Sequence, residues 1–341
     1  MRASETRGTP PGPVRLRLAM LTFHRPDDLR AVIPLLLVQA EDVESRSWPH
    51  GRPVEVGIVI VDNDPAGSGE AVVRSFAGPV RYVVEPLPGI AAARNRALDE
   101  TTDADVLVFI DDDERPHDGW LAGLYATHLA TGAAAVAGPV VSEFVGELDP
   151  WVAAGAFFRR RRLPTGTPIS VAATNNLLID RSQIDRLGLR FDRRFGMSGA
   201  DDTLFTSSLA RSGARLVWCD EAVVSDVVPA DRMTRSWVVR RAFSSGNSAS
   251  LVALALHDGA VSRAGVRLRQ LGHAALRGGG GGGQLAAGLL LRSPHHQTRG
   301  VRTFARGAGM VAGILGLSYQ EYGAADQRGR GLRRLGRWTD H

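Results

Sequence analysis

The chain has 341 residues, of which 44% are hydrophobic, and a net charge of +5, which suits one large domain or two ordinary ones. Its single cysteine, Cys219, excludes an internal disulfide framework and fits a reducing compartment. The first 15 residues lack the apolar core of a secretory signal, and no stretch reaches the ~18 apolar residues of a spanning helix, so the expected location is cytoplasmic or peripheral on the inner face of the cell membrane.

Residues 1–13 read as a short disordered arm. "VRLRLAMLT" (14–22) is a strand ending at Thr22, and "DDLRAVIPLLLVQA" (27–40) is a helix with Pro34 in its interior. "EVGIVIVD" (55–62) is nearly continuous β-branched sequence, as in a strand covered on both faces. "NDPAGS" is a turn, followed by a helix to about Phe76 and a third strand at 79–85. An Ala-rich helix (89–100) and a fourth strand (105–110) complete the pattern. Strands alternating with helices predict βαβ units and a mostly parallel sheet with helices on both faces.

The following part is less regular. A helix is expected at 119–130, strands at 133–141 and 171–180, and a loop with a basic cluster at 157–168. A Gly-rich loop runs into a helix over 195–213, the chain is extended over 214–229, and a long helix spans 232–256. "RGGGGGG" (277–283) reads as a flexible spacer. No internal repeat is present.

In sheets of this kind ligands bind outside the carboxyl ends of the strands. Thr22, Asp62, Glu85 and Asp111 all fall there. Asp111, Asp112 and Asp113 are consecutive, and three adjacent carboxylates repel one another unless something positive joins them or water solvates a turn. Mg²⁺ and Mn²⁺ prefer carboxylate oxygens and are commonly held by one or two of them plus substrate phosphates. Alternation along a strand sends Asp111 and Asp113 to the same side, and turns Asp112 away or toward a neighbouring hydroxyl. Asp201 and Asp202 precede a helix, where acids are favourable in the first turn. A carboxylate there can also serve as a general base. Arg94, on the Ala-rich helix, can reach a diphosphate.

Taken in order, "TFHRPDDL", "IVIVDNDPAGS", "VRYVVEPLPGIAAARNRALD", "VFIDDDERPHDGWL", "ATNNLLIDRS", "GADDTLFTSSLARSGARLVWCDEAVV" and "RSWVVRRAFSSGNS" resemble family 2 glycosyltransferases over about residues 15–245. Within that family the resemblance is to bacterial exopolysaccharide enzymes of the succinoglycan type. It implies a GT-A fold: a Rossmann-like, mostly parallel mixed sheet with helices on both faces, here followed by a helical C-terminal extension from residue 246. It implies a nucleotide-sugar donor, and a UDP-sugar in particular, since Asp62 falls where an aspartate accepts a hydrogen bond from uracil. Thr22 and Arg25 fall at the nucleoside, Arg94 at the base or diphosphate, Asp111 and Asp112 at the donor, and Asp113 with Asp111 at the Mn²⁺ or Mg²⁺. Asp202 matches the catalytic base, and Asp201 stands where relatives usually carry Glu. Asn175 and Asn176 fall on the acceptor side. Ser225 and Asp226 stand where many relatives carry a histidine or glutamate. The implied reaction is an inverting single displacement onto a hydroxyl of a saccharide or lipid-linked acceptor. A non-catalytic nucleotide-sugar-binding or scaffold protein is the alternative, and has no use for the base. A nucleotidyltransferase commonly needs a phosphate-loop Lys, and this chain has no Lys at all.

The charge is uneven. Residues 1–230 carry a net −7 and residues 231–341 a net +12, with every basic residue an arginine. A basic extension with apolar residues, "GVRTFARGAGMVAGILGLSYQEY" (300–322), points to an anionic membrane surface. It has no recognised nucleic-acid motif and few interleaved aromatics, so no nucleic-acid partner is expected.

Overall fold

Strands β1 (Val14–Thr22), β2 (Val54–Asp62) and β3 (Val80–Val84) alternate with helices α1 (Pro26–Ser45), α2 (Glu70–Val73) and α3 (Ile90–Glu100). The structure is a computed structural model and describes residues 12–320 and 332–335. Residues 1–11, most of the expected arm, lie outside the described residues. β4 (Val106–Asp111) follows α3, then β5 (Glu114–Pro116), α4 (Trp120–Thr131), β6 (Ala135–Ala137), β7 (Val140–Phe144), α5 (Pro150–Ala154) and β8 (Pro168–Ile169). β9 (Asn176–Asp180), α6 (Arg181–Leu187), α7 (Asp201–Arg211), β10 (Leu216–Trp218) and β11 (Val224–Val228) complete the sheet region.

The main sheet has the order β3-β2-β1-β4-β9-β6-β10-β8. β3, β2, β1 and β4 are parallel neighbours, while β9 runs antiparallel to both β4 and β6. A second, three-stranded sheet has the order β5-β11-β7. The expected strand at 133–141 is thus two strands in two sheets, divided at Gly138. A Cβ there would collide with the Ala222 carbonyl and meet Asn176 Nδ2 at 2.5 Å, so the chain passes where only glycine fits. The expected strand at 171–180 begins only at Asn176, and the extended 214–229 segment likewise divides between β10 and β11.

Each face of the sheet is covered. Leu16, Leu18 and Met20 pack on Leu29, Val32 and Ile33 of α1 and on Trp120 and Leu124 of α4. Ala19, Val59, Val61 and Phe109 pack on Ala91 and Ala97 of α3 and on Phe205 and Leu209 of α7. Double coverage explains the unbroken apolar runs of β2 and β4. α1 starts at Pro26, whose missing N–H costs nothing at a first helical position, with Asp27 and Asp28 favourable against the helix dipole. It continues through Pro34.

Three helices follow: α8 (Arg235–Ala255), α9 (Ala260–Leu290) and α10 (Pro294–Ile314). The hairpin of β12 (Leu317–Tyr319) and β13 (Leu332–Arg334) comes last. The expected flexible spacer at 277–283 lies inside α9. Its glycines are helical because tertiary packing overrides propensity: a Cβ on Gly281 would stand 2.6 Å from the Phe304 nitrogen, and one on Gly288 2.5 Å from the Gln297 nitrogen. α10 lies between α8 and α9, with Gly309 against the Phe243 carbonyl and Gly300 against Leu285. α8 runs unbroken through residue 245, where the extension was expected to begin. Its Leu251 and Val252 form a small core with Phe195 and Ala200, so it supports the loop leading into α7.

Candidate active site

Parallel register sets Thr22 beside Asp62 and Leu21 beside Asp111, so the ends of β1, β2 and β4 form one edge. Past Asp111 the chain turns through Asp112 and Asp113 into β5. Asp112 is buried, and its two oxygens accept from Thr22 Oγ1 at 2.8 Å and from Arg25 Nη1 at 2.7 Å. The hydroxyl expected for Asp112 is therefore that of Thr22. Arg25 Nη1 also donates to Asp113 Oδ2 at 2.9 Å, and Arg232 Nη1 reaches the same oxygen at 3.3 Å. Burial pushes Asp112 up to about 6, with Arg25 opposing and Asp113 adding repulsion.

Arg94 is the second organising cation. It projects from α3, packed among small alanines, and its Nη1 donates to Asp201 Oδ2 at 2.7 Å; the two side chains are 5% and 0% exposed. Its guanidinium lies 5.7 Å from the Phe191 ring centroid and feels Asp202 and Asp111 as well as Asp201. Asp111 is pushed up to about 7, first by burial, with Arg94 opposing and Asp113 and Asp112 reinforcing. Asp201 is likewise raised by burial against the pull of Arg94. Arg94 thus ties α3 to the start of α7, 107 residues further along the chain, with Asp111 and Asp202 within its electrostatic reach. Its hydrogen bond goes to Asp201, where the sequence suggested contact with a base or diphosphate.

Asp201 and Asp202 are the first two residues of α7, after Gly199 at φ 68 and Ala200. Asp202 is partly exposed. Its Oδ1 accepts from the Thr203 N–H at 2.5 Å, and its Oδ2 carries no hydrogen bond among the described residues.

Asp62 departs from expectation. It is fully buried, and accepts from the Asp64 N–H at 2.9 Å, the Gly69 N–H at 2.8 Å and the Tyr82 hydroxyl at 2.7 Å. This carboxylate closes the 62–69 loop, where the sequence suggested a contact to uracil. Tyr82 is shifted upward by burial and by this bond. Asn176 is similarly internal: it accepts from Trp120 Nε1 at 2.8 Å and donates to the Ala222 and Pro139 carbonyls. Asn175 instead donates to Glu114 Oε1 at 2.5 Å.

Glu114 and Arg232 escaped the sequence reading. Glu114 extends the acidic run but lies in β5, where register pairs it with Asp226 of β11. It is buried, raised well above the usual carboxylate range by burial, and its Oε2 has no partner among the described residues. Its place as a fourth consecutive acid was the available signal. Asp226 is raised by burial and held by Arg160 at 2.6 Å. Arg232 reaches Asp113 across the fold and leaves no sequence signal. A histidine does come to Ser225, from the residue after β5: His117 Nε2 lies 2.8 Å from Ser225 Oγ.

Among the described residues no three His, Cys, Asp or Glu side chains converge to hold a metal by themselves. The centre offers the carboxylates of Asp111 and Asp113, at and just past the end of β4. That is a partial shell of hard oxygens, which suits Mg²⁺ or Mn²⁺ when phosphates complete it. Beside it, a 690 Å³ cavity lies between β7, α5 and the 157–162 loop, lined by Phe144, Phe157, Phe158 and Arg160 among others. Arg160 joins the cavity to Asp226.

A family model described as glycosyl transferase family 2 matches residues 19–188. The succinoglycan biosynthesis protein ExoM of Rhizobium meliloti (strain 1021) is 32% identical over 275 residues, 79% of this chain and 86% of its own. The mannosyltransferase PcManGT from Pyrobaculum calidifontis, in complex with GDP-Man and Mn²⁺, superposes with a TM-score of 0.57 at 17% identity, over 88% of this chain and 87% of that one. GalNAc-T7 with UDP, GalNAc and Mn²⁺ aligns at a TM-score of 0.47 and 12% identity, over 63% of this chain and 44% of that longer one. With a carboxylate-lined crevice at the strand ends, this chain belongs to glycosyl transferase family 2 and is a glycosyltransferase of the GT-A fold.

Proposed function

We propose that this enzyme moves a sugar, with inversion, from a nucleotide-sugar donor, a UDP-sugar first, to a hydroxyl of a saccharide or lipid-linked acceptor in exopolysaccharide synthesis. The observation that carries the reading is the placement of Asp111, Asp112 and Asp113 at the strand ends, with Arg94 bonded to Asp201 and within the electrostatic reach of Asp111 and Asp202. The similarity to a succinoglycan biosynthesis protein supports the product class. The mannosyltransferase of like fold holds GDP-Man with Mn²⁺, so the fold leaves the nucleotide base open.

Asp111 and Asp113 would hold Mn²⁺ or Mg²⁺, which when bound neutralises charge on the donor diphosphate. Thr22 and Arg25 fix the Asp112 carboxylate at the donor end of the crevice. Arg25 and Arg232 place positive charge at Asp113, where the departing nucleoside diphosphate gains negative charge. Asp202 takes the proton of the acceptor hydroxyl through its unoccupied oxygen, and that hydroxyl attacks the anomeric carbon opposite the leaving group. Asp201, locked by Arg94, positions the first turn of α7 and hence Asp202. The enzyme works in the cytoplasm, with its basic C-terminal helices toward an anionic membrane.

The test titrates purified protein with a panel of nucleotide sugars, with and without Mn²⁺. One donor should bind in a metal-dependent way, and Asp113→Ala should abolish that. Binding of no nucleotide sugar with any divalent cation would sink the reading.

A further inference from the structure

The sequence points to residues 300–322 as the membrane-facing segment; α10, which holds most of it, buries one face and leaves Phe304 and Val311 exposed. Its Ala305, Met310, Ala312 and Ile314 are buried between α8 and α9. The larger exposed apolar surface belongs to α9. This helix has 31 residues, about 46 Å of length, and it buries Val266, Ala274, Gly281 and Gly288 toward α10. At 3.6 residues per turn, Val261, Leu268, Ala275, Leu276, Ala286 and Leu290 share the opposite face, and only glycines separate them there. Val261, Leu268, Leu276 and Leu290 are 88%, 74%, 75% and 85% exposed. Gly265, Gly272 and Gly279 on that face have no neighbour within 4 Å. An ordinary surface helix turns its charges outward. This one turns its leucines outward and keeps Arg267 and Arg269 to either side.

Charge selects the occupant. Residues 260–320 contain eight arginines and no Asp or Glu. A second copy would bring like charge against like charge, whereas an anionic lipid surface attracts it. No helix among the described residues is long and apolar enough to cross a membrane, so contact is along the surface. The face also leads to the site. Leu289 and Leu291 are exposed where α9 turns into α10. There His295 Nδ1 lies 3.3 Å from the Ala154 carbonyl of α5, and Arg302 lies over Phe157 of the cavity beside the carboxylates.

We infer that the outward face of α9, from Val261 to Leu290, is the surface by which this enzyme lies on an anionic bilayer, with the 690 Å³ cavity at one end of that face. The inference rests on the transferase reading only for the use of that cavity.

The experiment is flotation of the full chain with phosphatidylcholine vesicles, alone or mixed with phosphatidylglycerol, with donor hydrolysis followed in parallel. The protein should float with the anionic vesicles and not with the neutral ones. Leu268→Glu with Leu276→Glu should lower the bound fraction about tenfold or more, leaving melting temperature and donor hydrolysis unchanged. Arg267→Gln with Arg269→Gln is the second variant; it should weaken binding, as should added salt. Absence of flotation, equal binding to neutral vesicles, or full binding by both variants overturns the inference. So does a wild-type dimer in sedimentation that the leucine variant dissociates, which would make the face a self-interface. Flotation without donor hydrolysis leaves the docking face standing and removes the transferase reading instead.

Discussion

Asp202 and Arg94 occupy opposite situations at the same centre. Asp202 keeps one oxygen unbonded at the crevice, so Asp202→Asn should leave donor binding intact and lower turnover by ~10²–10⁴-fold, measured by calorimetry beside steady-state rates. Arg94 is sealed in. Removing one partner of a buried pair leaves an uncompensated charge, so Arg94→Met should cost ~3–5 kcal/mol in urea denaturation. Adding Asp201→Asn should recover part of it. Asp111 and Asp112, raised to about 7 and about 6 from 3.8, make the metal-free protein pH-sensitive. Their folded forms hold protons that the unfolded chain has already released, so their contribution to stability is fully present below about pH 4 and is lost as pH rises through 6 and 7. A bound cation reverses this by favouring the ionised carboxylates. Mn²⁺ should therefore raise the melting temperature more at pH 8 than at pH 6. An equal gain at both would remove the carboxylates from the metal site.

The glycines of α9 divide by what each one faces. A Cβ at Gly281 collides with the backbone of α10, whereas Gly279 and Gly280 face open space. Gly281→Ala should therefore destabilise the protein, by ~1–3 kcal/mol for overpacking. Gly279→Ala should stabilise it by ~0.4–1 kcal/mol through the unfolded chain. Thermal melts of the two single variants check both signs. The same contacts show why a glycine run that reads as a spacer becomes helix: backbone-to-backbone packing against α10 requires the small residues that weaken helix propensity.

The catalytic body and the C-terminal helices are joined by more than sequence. α8 crosses residue 245, and its Leu251 and Val252 pack on Phe195 and Ala200, just before the aspartates of α7. Trp237 stacks on Phe158 at 5.7 Å, and Arg235 pairs with Asp149 at 2.9 Å. A chain ending at residue 245 should lose turnover as well as stability. Leu251→Ala should cost ~2–5 kcal/mol and lower kcat more than it raises KM, read from melts and steady-state kinetics.

The sequence by itself determined the alternating first half, the strand-end positions of Thr22, Asp62 and Asp111, and the helix-start position of Asp201 and Asp202. These follow from local periodicity and from where polar residues interrupt it. Tertiary structure alone decided what each of them touches. Asp62 ends a strand and Arg94 lies on a helix, and both read in sequence as donor contacts, yet burial turned one inward to close a loop and paired the other with Asp201, 107 residues away. Gly138 divides one apolar run between two sheets because another backbone passes beside it, and α9 is helical because α10 packs against it. Burial, ion pairing and close backbone contact depend on residues far apart in the chain, so periodicity cannot encode them.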